Sequence, residues 1–159
     1  MDGQALRRGE AAKQLLGKYE TAAEQLGEQV DGADADASIV RFLKGTIRIY
    51  GPTSFSGLVL EDAGIGRPEF QRLEGAEDRR FAEVSQEEIN LVDGKIIYVT
   101  AYGEESGVER NAMLKSPLWK TLQASKDGRV FLVRDETWMT GIGVVAAEQI
   151  LVDLEESLG

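Results

Sequence analysis

Neither histidine nor cysteine occurs among the 159 residues. Imidazole and thiolate metal ligands are therefore excluded, as are Ser-His and Cys-His nucleophile pairs and the commonest general base. What remains is carboxylate, guanidinium and aromatic chemistry. The acidic pairs Glu87-Glu88, Glu104-Glu105 and Glu155-Glu156 read as solvated faces, and no spacing singles out two carboxylates for acid–base work. The arginines and aromatics fall in a different pattern. Arg41, Phe42, Tyr50, Phe55, Tyr102, Arg134 and Trp138 lie at or just beyond segments that read as strand ends. A rim of rings and guanidinium groups suits a large, partly apolar ligand. Binding is expected, with no catalytic residue and no protein metal ligand.

The candidates differ in weight. Phe42 and Tyr50 read first as core. Phe55 opens a helix in the Ser-rich corner RIYGPTSFSG. Tyr102 stands between Ala101 and Gly103, small neighbours that leave a ring exposed. Trp138, in RDETWMTGIG, is expected in a pocket wall. Arg41 suits either a surface salt bridge or an anionic ligand group. Gly141-Ile142-Gly143 before a helix is a weak phosphate-turn signal and reads better as a packing device.

The elements that must position these residues are legible from periodicity. Residues Gln4 to Val30 carry apolar side chains at spacings of three and four, the mark of one long helix. Asp31 to Ala37, DGADADA, reads as a loop. Ser38–Leu43 and Thr46–Tyr50 alternate as strands around a tight turn at Lys44-Gly45. Phe55–Ala63 is a helix with Ser54 as N-cap and Gly64 as C-cap. Arg79–Val84 is extended. Ser85–Leu91 opens with a capping box completed by Glu88. Lys95–Thr100 is apolar on consecutive residues, as in a strand buried on both faces. Short helices at Glu109–Leu114 and Leu118–Ala124, a strand at Arg129–Val133 and a helix at Gly141–Leu158 capped by Thr140 complete the chain. Helices alternating with buried strands predict an α/β domain with a mostly parallel sheet.

Composition narrows the classes further. The net charge is −10, and the chain shows no basic stripe, which excludes nucleic acid as a partner. No apolar run reaches the length of a membrane span. The N-terminus lacks the apolar core of a signal peptide, so the chain is expected to be cytosolic or to lack its leader.

Taken together, LLGKYE, SIVRFLKGTIRIYGPTSFSGLVLEDAGIGRP, VSQEEINLVDGKIIYVT and SPLWKTLQASKDGRVFLVRDETWMTGIGVVAAEQILVDLEE resemble the C-terminal half of periplasmic-binding-protein-like substrate-binding lipoproteins. More narrowly, they resemble the iron-siderophore-binding proteins of ABC importers, of the FecB/FhuD type. The similarity runs over nearly the whole chain. It implies a class III periplasmic-binding-protein architecture: two α/β lobes joined by a long helix, with the ligand between them. On this basis residues 1–30 end the connecting helix, 31–37 form a loop, and 38–159 form the C-terminal ligand-binding lobe, a single three-layer unit with helices flanking its sheet. The N-terminal lobe and a lipid-bearing leader are then expected outside these residues, as in a truncated chain. The implied parent is an extracytoplasmic, membrane-anchored lipoprotein.

The resemblance implies ligand contacts from Phe55, Tyr102 and the Thr137-Trp138-Met139 segment, and docking of Glu87 on the ABC permease subunits. Some relatives with catecholate ligands carry Arg where this chain has Phe55 and Tyr102, so a ferric siderophore of hydroxamate or mixed type is expected, with the iron wrapped by the ligand and no protein cofactor. Haem or cobalamin is the alternative ligand, and a small α/β enzyme or a response-regulator-like module the alternative class. An apolar inter-lobe face is expected to favour a dimer of the isolated lobe.

Overall fold

Two of the sheet's five strands form a hairpin. The computed structural model describes residues 3–30 and 36–158. Strands β1 (Ala37–Leu43) and β2 (Thr46–Tyr50) run antiparallel, with Leu43 opposite Thr46 and Arg41 opposite Arg48. The turn between them places Lys44 at φ 44° and Gly45 at φ 79°. Two successive positive φ values match the right-handed twist of a two-residue hairpin, and glycine adopts them without strain. The turn is held from outside: Lys44 N–H donates to Ser106 Oγ (2.9 Å) and Gly45 N–H to Glu109 Oε2 (3.0 Å).

Strands β3 (Phe81–Val84), β4 (Ile96–Ala101) and β5 (Val130–Leu132) complete the order β3-β2-β1-β4-β5. β4 pairs in parallel with β1 and β5, whereas β2 is antiparallel to both β1 and β3. Among the described residues, β2 alone therefore runs against the rest. β4 lies between two neighbours with both faces covered, which is why IIYVT reads as an unbroken apolar run.

Helices cover both faces. On one, α1 (Gly3–Gln29), α2 (Phe55–Asp62) and α6 (Val144–Leu158) supply Tyr19, Ala23, Leu26, Val59, Leu60, Ile150 and Leu154 to a core with Ile39, Tyr50, Tyr98 and Trp138. On the other, a 3₁₀ turn (Gln86–Val92), α3 (Gly103–Lys115), α4 (Pro117–Lys120) and α5 (Gln123–Lys126) close over Val40, Phe42, Ile49, Ile97 and Val99. This is the expected three-layer α/β unit behind a long helix.

Some boundaries differ from the periodicity. α3 begins at Gly103, six residues before the expected Glu109, because its first turns bury only Ser106 and so carry no apolar repeat. The expected helix at 118–124 is divided between α4 and α5, the first capped by Ser116. α6 starts at Val144, after a π-helical turn at Glu136–Thr140. The Thr140 hydroxyl turns back to Glu136 O and does not cap α6. Of the expected 31–37 loop, residues 31–35 lie outside the described residues; Asp36 O accepts from Lys95 and Ile96, and Ala37 already belongs to β1.

The corner after Tyr50 owes its composition to close packing. Ser54 Oγ donates to Gly51 O (2.7 Å) and accepts from Gly57 N–H (3.0 Å), capping α2. A Cβ on Gly57 would lie 2.1 Å from Gly51 O, and one on Gly51 would lie 2.2 Å from Arg79 O. Arg67, from AGIGRP, clamps the same corner: it donates to Ala37 O, Tyr50 O and Gln71 Oε1, while Gln71 Oε1 also accepts from Ile39 N–H. Burial pushes the Arg67 pKa down to about 10, so it stays charged at neutral pH.

Two outcomes follow. Gly57→Ala, normally favourable inside a helix, should here destabilise the chain by about 1–3 kcal/mol, because backbone must move to admit the methyl group; urea unfolding measures it. Tyr98, stacked on Trp138, has its phenol pKa pushed up to about 12 chiefly by burial, and Tyr19 is raised by burial and its bond to Asp62. The unfolded chain releases these protons from about pH 10, so above that pH the native state holds more protons and stability falls as pH rises. Tyr98→Phe should flatten that alkaline decline in thermal melts.

Candidate functional site

Arg41 lies on β1 level with Thr100 on β4, near the strands' C-terminal ends. Its guanidinium makes a bidentate pair with Asp135, Nε to Oδ1 and Nη2 to Oδ2 at 2.8 Å each. Nη1 donates to Tyr50 Oη (3.3 Å), and the guanidinium carbon lies 5.3 Å from the Tyr102 ring centroid. Both charged side chains are nearly buried, with 12% and 6% of their surface exposed, so solvent screens the pair poorly. Burial by itself would depress the Arg41 pKa; the hydrogen bonds that it donates to Asp135 and Tyr50 and the carboxylate charge outweigh it and leave it raised. Arg41 is therefore neither a surface salt-bridge residue nor a free cation. Tyr102, 46% exposed, presents its ring to solvent above the pair.

The other expected site residues are placed less uniformly. Because β2 runs backwards, its end at Tyr50 lies level with the start of β1, away from the C-terminal edge where Tyr102 stands. Phe55 opens α2, is half-buried and packs on the same core cluster as Met139. α2 in turn lies against the π-helical turn that carries Thr137, Trp138 and Met139. Thr137 is half-buried and lines a hollow of about 500 Å³ with Ile142 and Val145.

Trp138 corrects the expectation of a pocket wall. It is fully buried, its ring is stacked 4.9 Å from Tyr98, and its Nε1–H donates to Asp153 Oδ2 at 2.8 Å. An indole whose polar edge is satisfied by α6 and whose faces are covered has no surface left for a ligand. Arg134, also noted at a strand end, is exposed and 3.7 Å from Glu136. Glu87 is exposed on the 3₁₀ turn. Among the described residues no group of three or more Asp or Glu side chains is gathered as a metal site.

Three residues of this neighbourhood escaped the sequence reading. Asp135 is named by nothing in its local pattern. Arg48 could have been found from the hairpin, because a two-residue turn at Lys44-Gly45 dictates that it faces Arg41; Phe81, which faces Tyr50 across the β2–β3 pair, could not, because no short turn fixes that register. Tyr50 and Phe81 rings lie 5.8 Å apart, and Arg48 sits over Phe81 at 4.3 Å.

Arg41, Asp135 and Tyr102 thus meet at the C-terminal edge of a three-layer α/β unit. The chain belongs to the periplasmic binding protein family, whose match covers residues 2–137. It is 31% identical over 95% of its length to a probable siderophore-binding lipoprotein, YfiY, of Bacillus subtilis, covering 49% of that protein. It is also 31% identical over 99% of its length to an achromobactin-binding periplasmic protein of Dickeya dadantii, covering 53% of it. The crystal structure of Staphylococcus aureus SirA superimposes with a TM-score of 0.80 at 25% identity, over 98% of this chain and 61% of that one. SirA complexed with staphyloferrin B gives 0.81 at 25% identity, over 98% of this chain and 57% of that one. The chain thus spans about half the length of the curated relatives it matches.

Removing one partner of the Arg41–Asp135 pair leaves a buried charge uncompensated. Asp135→Asn should cost on the order of 3–5 kcal/mol, whereas the double change Arg41→Met with Asp135→Leu should be far milder. Urea unfolding of the parent, the two single variants and the double variant measures the coupling.

Proposed function

We propose that this chain is the C-terminal ligand-binding lobe of the substrate-binding component of an ABC importer. It captures a ferric siderophore outside the cytoplasmic membrane and delivers it to the permease. The observation that carries this reading is the rim itself: Tyr102 exposed above a fixed Arg41–Asp135 pair, on the fold of a family of binding proteins. The relatives, a probable siderophore-binding lipoprotein and an achromobactin-binding periplasmic protein, favour this ligand class and an extracytoplasmic, lipid-anchored setting for the parent protein.

Residues 1–30 serve as the end of the inter-lobe helix, 31–37 as a loop and 38–159 as the lobe. α1 supports this division. Tyr19, Ala23 and Leu26 are buried against the rest of the chain, while residues 6–18 are all exposed, with Leu6 at 51%, Leu15 at 42% and Leu16 at 46%. An apolar stripe at helical spacing that is left exposed among the described residues suits packing against a further lobe. Phe55, Tyr102, Thr137 and Met139 supply ligand contacts, Arg41 positions Tyr102, and the exposed Glu87 docks on the permease. The ligand is a hydroxamate or mixed-type complex, and the iron is cargo held by the siderophore.

Calorimetric titration with a panel of ferric siderophores, haem and cobalamin tests the reading. One ferric hydroxamate or mixed-type complex should bind saturably, in the micromolar range or weaker, because a single lobe encloses only part of its ligand. Tyr102→Ala should weaken that binding by about tenfold, equivalent to about 1.4 kcal/mol. Nanomolar binding by this chain would contradict the two-lobe arrangement. Selective binding of haem or cobalamin would replace the siderophore.

A further inference from the structure

The end of the sheet opposite Tyr102 carries a second gathering of arginines, none of them on a strand. Arg67 bonds Ala37 O and Tyr50 O, at the start of β1 and the end of β2, whereas Tyr102 follows the C-terminal end of β4. Beside Arg67, the outer flank of α2 and the backbone of Gly64, Ile65 and Gly66 border a hollow of about 490 Å³. Arg67, Arg72 and Arg79 all line it, and among the described residues Glu61 is its single acidic side chain. None of these three arginines pairs with a carboxylate among the described residues; the ion pairs of arginine there join Arg41 to Asp135, Arg80 to Asp78 and Arg134 to Glu136. That is unexpected in a chain with 28 acidic and 18 basic residues, where carboxylate partners are plentiful.

Their hydrogen bonds run to neutral oxygens instead. Arg67 is buried and donates to two backbone carbonyls and to the Gln71 amide. Arg72 Nε donates to Arg67 O (3.3 Å), and Arg79 Nε and Nη2 donate to Arg72 O (3.3 and 3.0 Å). These bonds hold Arg72 and Arg79, both exposed, by one edge. Both Arg72 Nη groups and Arg79 Nη1 are left with no hydrogen bond among the described residues. A buried cation surrounded by neutral acceptors is costly, and burial pulls the Arg67 pKa down to about 10. A negative charge in the hollow offsets that cost, because charges close to a low-dielectric interior are weakly screened. Donors from two guanidinium groups, above a third positive charge, suit an anion with several acceptor oxygens.

We propose that this hollow is an oxyanion site, which takes a phosphate group between Arg72 and Arg79 above the buried Arg67. The site is separate from the siderophore rim and does not depend on that reading. Arg67 fastens the α2 corner to the start of β1 and the end of β2, so the bound anion stabilises the fold at that corner and takes no part in cargo capture. The phosphate is either a free ion or the headgroup of a lipid, and the two sources are separable by experiment.

The test uses the whole chain, ¹⁵N-labelled, with inorganic phosphate as the probe against chloride at equal ionic strength. Phosphate should raise the melting temperature by about 4 °C over chloride. It should also shift the backbone amides of Gly64 and Gly66 and the Nε–H resonances of Arg72 and Arg79, saturably and in the millimolar range, while the Tyr102 amide stays in place. Arg72→Gln combined with Arg79→Gln should abolish both effects, and Arg134→Gln, at an exposed arginine after β5, should abolish neither. Vesicles of phosphatidylglycerol that retain the chain, lose it to added phosphate and fail to retain the double variant assign the group to a lipid headgroup. Saturable phosphate binding with no retention on vesicles assigns it to the free ion. Equal melting in phosphate and chloride with no saturable shift at Gly64 or Gly66, or a phosphate effect that the double variant keeps, overturns the inference. The titration of the unaltered chain does not depend on any variant folding.

Discussion

The bidentate pair between Arg41 and Asp135 ties the end of β1 to the segment that follows β5, two places separated by 94 residues of chain. Its parallel hydrogen bonds fix the guanidinium plane, and that plane in turn donates to the Tyr50 hydroxyl oxygen and supports the Tyr102 ring. A charge desolvated this far needs a partner of fixed geometry, or it would titrate or draw in solvent. The pair meets that need and also removes Arg41 from the set of free cations.

The reversed strand β2 is the second constraint. Running against the rest, it brings Arg48 beside Arg41 and carries the chain back to the start of β1, where Arg67 bonds both Ala37 O and Tyr50 O. The corner can then be only as wide as Gly51 and Gly57 permit. Its Gly, Pro and Ser content is thus explained by backbone contact and helix capping. Phe55 is the side chain that this tight corner delivers onto the core face shared with Met139.

α1 shows how one helix serves two surroundings. Its second half contributes Tyr19, Ala23 and Leu26 to the core, and Tyr19 bonds Asp62 of α2 at 2.6 Å. Its first half carries the same apolar repeat into solvent. Periodicity reports that a face is apolar and does not report what covers it. In a chain that spans about half the length of its curated relatives, the two halves of α1 thus share one sequence pattern and differ in what covers them.

By itself the sequence determined the order of elements, the α/β class, the hairpin, the capping of α2 and the apolar character of β4, because propensity, turn chemistry and hydrophobic period act over a few residues. The lack of histidine and cysteine also determined which chemistries were excluded. It singled out Arg41, Phe55 and Tyr102 as candidates, since strand ends and small neighbours are local features. Tertiary structure alone decided that Trp138 is core, because whether an indole faces a cleft or a helix depends on α6 and Asp153, distant in the chain. It alone decided that Arg41 is spent on Asp135 while Arg48 rests over the Phe81 ring. Charge pairing across 94 residues leaves no periodic mark in the sequence, because it is set by how the strands and their connections pack in space.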